Sequence, residues 1–166
     1  MAEETQPKWE GKSTVKLRGP TPDEVWPLLE DFCSINKWLP GIDTSYQVEG
    51  VHGQPGLIRY CASTVTSSSD GDEKTVSWCK EKLLSIDPIK RCFSYEVLEN
   101  NVGFNSYVAT MDVLPINGDD ELGCQIEWSY VADPLDGWTQ EFLDSYIKSS
   151  LHEMAEKLEK AILATE

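Results

Sequence analysis

The sequence lacks any apolar run approaching the roughly 18 residues that a membrane-spanning helix needs. Its first residues, MAEETQPKWEG, contain no basic stretch followed by an apolar one, so we expect no secretory signal. Positive charge is also scarce, since 14 Lys and Arg residues stand against 29 Asp and Glu residues and the formal net charge is -15. A field of that sign repels phosphate backbones and anionic lipid headgroups. We therefore expect a small molecule or another protein as partner, with no nucleic acid and no membrane insertion.

Cysteine and histidine occur without the spacings of a metal or redox site. The five cysteines form no CxxC pair, and their odd number in a chain without a visible leader indicates free thiols in a reducing compartment. We expect a cytoplasmic protein. His152 begins the segment HEMAE, which lacks the second histidine of a zinc-binding helix. The sequence also lacks the spacing of a calcium loop, a GxSxG motif and a glycine-rich phosphate loop. We therefore expect neither a metal nor a cofactor.

The rest of the composition is that of a folded domain. Hydrophobic residues make up 40% of the 166 residues, which suits one domain spanning 1–166 with a disordered tail at 1–7. Residues 8–18 alternate in polarity and predict a half-buried strand. A short helix follows, because Thr21 precedes Pro22 as an N-cap, and we expect Pro27 to bend or break that helix, which then continues through SINKWLP.

The middle of the chain reads as strands and turns, and its end reads as a helix. Six strand-like segments separated by turn residues follow one another: SYQVEG, GLIRYCAS, KTVSWCKEKLL, KRCFSYEVL, SYVATMDVL and GCQIEWSYVA. Residues 138–164 predict a long amphipathic helix with an apolar stripe of Phe142, Tyr146, Ile147, Leu151, Met154, Leu158 and Ile162. This order predicts an α+β fold with helices on one side of a curved sheet, and the space between them becomes either core or ligand pocket.

Two charged residues interrupt strands that otherwise look apolar on one face. Glu81 lies between Lys80 and Lys82, and the lysine pair marks the solvent face, so Glu81 should point inward, although Trp78 shares the lysine face. A three-residue turn at 69–71 would place Arg59 opposite Glu81, and the same register pairs Cys61 with Cys79 and Tyr60 with Lys80. The sequence therefore predicts an inward-facing ion pair.

Aromatic residues accompany this pair on the inward parity of later strands. Tyr95, Tyr107 and Trp128 belong to this set, and their hydroxyl and indole groups need partners when buried. An interior ion pair or a bound ligand would supply those partners. A second interpretation stays open at this point: cross-strand Arg/Glu pairs are most often surface features worth less than about 1 kcal/mol, and strand tyrosines most often only pack.

The chain resembles plant lachrymatory factor synthases and their relatives in the superfamily of START-type lipid-transfer domains, polyketide cyclases and birch-pollen-allergen-like proteins. The segments that carry the resemblance run nearly end to end: KWEGKSTVKL, EVWPLLEDF, NKWLPGI, VEG, LIRY, KEKL, SYVATM and EWSY. The resemblance implies a helix-grip fold, in which a seven-stranded antiparallel sheet wraps around a long C-terminal helix and leaves an internal cavity.

The resemblance also implies roles for particular residues. Arg59 and Glu81 match the arginine and glutamate regarded as essential in these synthases, and Tyr95, Tyr107 and Trp128 match their pocket aromatics. We further expect ligand contacts from two residues of NKWLPGI, namely Trp38 and Leu39.

Two functions follow as hypotheses. In the first, Arg59 anchors a small polar or anionic head group and Glu81, assisted by Tyr95 and Tyr107, moves a proton within the bound molecule, as the synthases do when they isomerise a small alkenyl sulfenic acid to a thial S-oxide. In the second, the protein carries or senses a hydrophobic metabolite without changing it. The loop at 67–72 is longer than in the synthases, which leaves the substrate open.

Overall fold

The structure, a computed structural model, describes residues 7–66, 74–116 and 119–164. The expected turn at 69–71, the 67–72 loop and, except for its last residue, the expected tail at 1–7 lie outside these ranges. The strands are β1 (Trp9–Leu17), β2 (Thr44–Glu49), β3 (Ile58–Thr66), β4 (Lys74–Asp87), β5 (Cys92–Asn100), β6 (Val108–Ile116) and β7 (Asp119–Ala132). The helices are α1 (Pro22–Glu30), a 3-10 helix (Phe32–Lys37) and α2 (Gln140–Leu163).

The seven strands form one antiparallel sheet in the order β1-β7-β6-β5-β4-β3-β2. Helix α2 packs on this sheet and buries one face, comprising Leu143, Ile147, Leu151, Met154, Ala155, Leu158 and Ile162. The predicted α+β helix-grip fold is confirmed. No helix among the described residues is long and apolar enough to cross a bilayer.

The apolar stripe predicted for α2 is wrong in the first two turns of the helix. Phe142 and Tyr146 are 57% and 49% exposed, whereas Leu143 is 1% exposed and takes the core position. The Thr139 side chain caps the helix by accepting a hydrogen bond from the backbone N–H of Phe142. Phe142 then packs edge-on against Trp138, with ring centroids 4.9 Å apart, so an aromatic contact outside the core replaces the expected burial.

Helix α1 begins as predicted, and its break comes after Pro27 rather than at it. The Thr21 hydroxyl accepts from the backbone N–H of Glu24, and the Glu24 carboxylate accepts from that of Thr21, which is the expected capping box. Pro27 lies inside the helix, and the helical path instead breaks at Asp31, where φ is -74° and ψ is 72°. This break turns the chain toward the sheet and places the Phe32 carbonyl in the interior.

Candidate functional site

The predicted pairing of Arg59 with Glu81 is present. The two residues lie directly opposite each other on β3 and β4, in the same register that pairs Cys61 with Cys79. Arg59 is 4% exposed and Glu81 is 8% exposed, so both side chains point inward. Trp78 has the parity of Tyr60, and the two rings stack across the strand pair with centroids 6.0 Å apart.

The guanidinium of Arg59 is held on several sides. Its Nε donates to Glu81 Oε1 at 2.7 Å, and its Nη2 lies 2.7 Å from the same oxygen. Its Nη1 donates to the carbonyl oxygen of Phe32 at 2.7 Å. The Phe32 ring covers the cation at 3.7 Å and the Tyr95 ring lies 5.0 Å away. Burial is the largest single effect and lowers the pKa of Arg59, but the Glu81 carboxylate together with Cys61 and Tyr95 outweighs it, so that pKa is raised.

The carboxylate of Glu81 is bound through one of its two oxygens. Oε1 takes both contacts from Arg59, and the Cys61 thiol lies 3.7 Å from it. No described residue donates a hydrogen bond to Oε2. Since Glu81 lines the internal cavity, a desolvated carboxylate oxygen is available to a bound molecule.

The cavity between the sheet and α2 has a volume of about 320 Å³. Six of the seven predicted site residues line it: Arg59, Glu81, Tyr95, Tyr107, Trp128 and Leu39. Trp38 does not line it. Its indole N–H donates to the carbonyl oxygen of Leu28 at 3.2 Å and the side chain is 8% exposed, which makes Trp38 a core residue next to the site.

The aromatic residues supply hydroxyl and indole groups to the cavity wall. Burial raises the pKa of Tyr95, with the neighbouring Tyr107 and Glu81 adding to the effect. Burial also raises the pKa of Tyr107, and Glu81 adds to that increase. Both hydroxyl groups therefore stay protonated and able to donate hydrogen bonds at neutral pH.

One polar atom of the cavity wall, Nε1 of Trp128, has no hydrogen-bond partner among the described residues. Trp128 is 7% exposed, and its Nε1 lies near the Tyr107 hydroxyl, yet it makes no hydrogen bond of acceptable distance and angle within the described residues. A buried N–H without an acceptor costs about 1–3 kcal/mol. Its position on the cavity wall means that an oxygen atom of a bound molecule could accept this hydrogen bond.

Sequence reasoning missed two groups of lining residues. Cys61 and Cys79 both face the cavity from the sheet. Ser150 and Glu153 face it from α2, beside Tyr146. The cysteines share the parity of Arg59 and Glu81 and could have been found from the register, but the helical residues could not, because the rotation of α2 depends on packing.

Comparison with known proteins agrees with this architecture. Solved structures with similar folds include XoxI from Bacillus cereus (22% identity, 93% of this chain and 95% of that chain covered, TM-score 0.70) and an uncharacterized protein from Bacillus thuringiensis (19%, 93% and 98%, 0.67). A protein from Thermobifida fusca is also similar (23%, 90% and 92%, 0.66). At these identities the similarity establishes the fold alone. Residues 9–162 match the family described as polyketide cyclase/dehydrase and lipid transport, and the chain belongs to that family.

Proposed function

We propose that the cavity binds a small, mainly apolar molecule and that Glu81 moves a proton within it, in the manner of lachrymatory factor synthases. The observation that carries this proposal is the geometry of Glu81: its carboxylate is buried, is held among the described residues through Oε1 alone, and lines the cavity between the sheet and α2. A positioned carboxylate in a water-poor site is a typical general acid/base.

Arg59 acts mainly on Glu81 in this proposal. Its Nε and Nη2 orient the carboxylate, and the bond from Nη1 to Phe32 fixes the guanidinium itself. The guanidinium carries more N–H groups than these contacts use, so it can also hold an oxygen atom of the ligand. Arg59 thus positions the base and contributes to anchoring.

The proton balance needs no cofactor. Glu81 Oε2 accepts a proton from one atom of the bound molecule, and the same oxygen returns it to another atom, so the product is an isomer of the substrate. Tyr95 and Tyr107 remain neutral and can donate hydrogen bonds to an oxygen on which negative charge develops. For a small alkenyl sulfenic acid this sequence gives a thial S-oxide.

The test is conversion of an alkenyl sulfenic acid, generated in the assay, by the full chain. Glu81→Gln should reduce the rate by at least about a hundredfold, as loss of a general acid/base does. The matched control is Glu99→Gln, because the Glu99 side chain is 78% exposed. Equal rates for Glu81→Gln and the native protein would refute proton transfer by Glu81.

Carriage without chemistry is the second candidate. The family description includes lipid transport, and the cavity wall contains apolar residues such as Val97, Leu143 and Ile147 beside the polar ones. Carriage would be supported by a hydrophobic molecule that co-purifies with the protein and is released chemically unchanged, together with no conversion of the sulfenic acid.

We also place the protein in the cytosol. All five of its cysteines are free thiols, which suits a reducing compartment.

A further inference from the structure

A second cavity of about 260 Å³ adjoins the first. We call the cavity that contains Arg59 and Glu81 the inner chamber and this second one the outer chamber. The two share five lining residues: Ile42, Cys61, Cys79, Phe104 and Tyr146. These shared residues make the two cavities direct neighbours.

We propose that the two chambers form one elongated binding site, and that its ligand is an uncharged amphiphile with an oxygen-bearing end in the inner chamber, which Glu81 and Trp128 line, and an apolar chain reaching into the outer chamber. This inference rests on the function proposed above and names the class of molecule that the site takes.

The length of the site follows from the strand register. Arg59, Cys61 and Ser63 occupy alternate positions of β3, opposite Glu81, Cys79 and Ser77 of β4. The ion pair borders the inner chamber, the cysteine pair borders both chambers, and the serine pair borders the outer one. Two residues of a strand advance about 6.6 Å, so the site extends roughly 13 Å from the ion pair to the serine pair. A site of that length can hold an extended chain.

The cysteine pair forms the sheet side of the neck between the chambers. Tyr146 of α2 borders both chambers as well. Because cysteine side chains are small, they leave passage at a point where larger residues would divide the space. Beyond the neck, the wall is largely apolar and includes Ala62, Val102 and Trp138.

The charges of the inner chamber favour a neutral ligand. The positive charge of Arg59 is already paired with Glu81 at 2.7 Å. Glu153 adds a second carboxylate to the described lining, which contains no other Lys or Arg. A carboxylate or phosphate on the ligand would meet these negative groups without a counter-charge of its own. The unpartnered Trp128 N–H requires an acceptor, which a hydroxyl, carbonyl or S-oxide oxygen provides without charge.

Binding of straight-chain alcohols to the full chain tests the proposal. Dissociation constants for 1-butanol through 1-decanol are measured by calorimetry, with the corresponding n-alkanoates at pH 7.5 as the charged comparison. The dissociation constant should fall about fourfold for each added CH₂ until the outer chamber is filled. Each alkanoate should bind at least tenfold more weakly than the alcohol of equal length.

Two substitutions in the outer chamber provide the structural test. Val102→Trp fills the chamber from a loop position, and Ser63→Phe fills it from β3 if the first variant fails to fold. Either variant should bind 1-hexanol within twofold of the native affinity. It should no longer bind 1-decanol more tightly than 1-hexanol.

The outcomes separate the two proposals. Three results would overturn the elongated neutral site alone. These are alcohol affinities that do not depend on chain length, filled variants that keep that dependence, and alkanoates that bind as tightly as the alcohols. If no alcohol binds at all, both this inference and the ligand-binding function beneath it are wrong.

Discussion

Arg59 and Glu81 are direct cross-strand partners, and the Nε and Nη2 atoms of the arginine both lie 2.7 Å from Oε1 of the glutamate. This asymmetric contact occupies one carboxylate oxygen, and no described residue donates a hydrogen bond to the other. An ion pair so deeply buried is tolerated only when further hydrogen bonds support it, and the Phe32 carbonyl accepts one from the guanidinium. The same contacts thus preserve the fold and orient the proposed base.

Removing one partner of this pair should be costly. Arg59→Leu is expected to lower the free energy of unfolding by about 3–5 kcal/mol, because the Glu81 carboxylate stays buried without its counter-charge. The double variant with Glu81→Leu should recover most of this loss. Urea denaturation measures both values. Lys80→Leu is the control, since Lys80 lies 4.0 Å from Glu99 at the surface and its loss should cost less than about 1 kcal/mol. Equal costs for Arg59→Leu and Lys80→Leu would contradict the account.

The stability contributed by Asp112 should depend on pH. Burial raises the pKa of Asp112, and Glu127 on the neighbouring strand adds to the increase. The folded protein therefore binds this proton more tightly than the unfolded chain, and stability falls as pH rises from about the ordinary value of 3.8.

Replacing Asp112 tests that direction. Asp112→Asn should raise the unfolding free energy at pH 7 and change it much less at pH 3, where the native carboxyl is already protonated. Urea unfolding at the two pH values measures this, with Asp136→Asn as an exposed control. A gain at pH 3 equal to that at pH 7 would argue against a raised pKa.

The Cys79 thiol should react slowly with alkylating reagents. A hydrogen bond with Cys61, burial and the nearby Glu81 carboxylate all raise the pKa of Cys79. Iodoacetamide labelling followed by peptide mass spectrometry should show a pH midpoint well above that of a free cysteine. Cys61→Ala removes the largest contribution, so the midpoint should move down. An unchanged midpoint in that variant would show that Cys61 does not control this thiol.

Gly11 should be intolerant of any side chain. A Cβ at this position would lie 2.5 Å from Cε1 of the Tyr130 ring and equally close to the Asp144 carboxylate. These two residues share a hydrogen bond that joins β7 to α2. Gly11→Ala should therefore destabilise the protein by about 1–3 kcal/mol through overpacking.

Thermal unfolding of the Gly11 variant measures the effect. Gly41→Ala is the matched control, because nothing lies within 4 Å of a Cβ built there. If both variants melt at the native temperature, the packing of α2 against β1 and β7 is looser than described.

Much of the fold could be predicted from local patterns. Alternation identified the strands, and the lysines beside Glu81 fixed the orientation of β4 because ammonium groups avoid burial. Placing the turn between β3 and β4 then determined the register and brought Arg59 opposite Glu81. The chemistry of each residue and the two-residue period of a strand were sufficient for these steps.

Other features depend on packing that no local pattern encodes. The rotation of α2 that buries Leu143 instead of Phe142 follows from the Thr139 cap and the contact with Trp138. The bond from Arg59 to the Phe32 carbonyl requires the break at Asp31. The segment NKWLPGI led us to predict Trp38 as a ligand contact. Its indole N–H instead donates to the Leu28 carbonyl oxygen. Each case joins elements that are distant in sequence.

A crystal structure of the protein soaked with 1-hexanol tests the central claim most directly. The claim is that the interior binds a ligand with its polar end at Glu81. The hydroxyl oxygen should lie within about 3.2 Å of Glu81 Oε2. Electron density for the alcohol only at the protein surface would contradict the account. So would an alcohol bound in the cavity with its alkyl chain, and not its hydroxyl group, next to Glu81.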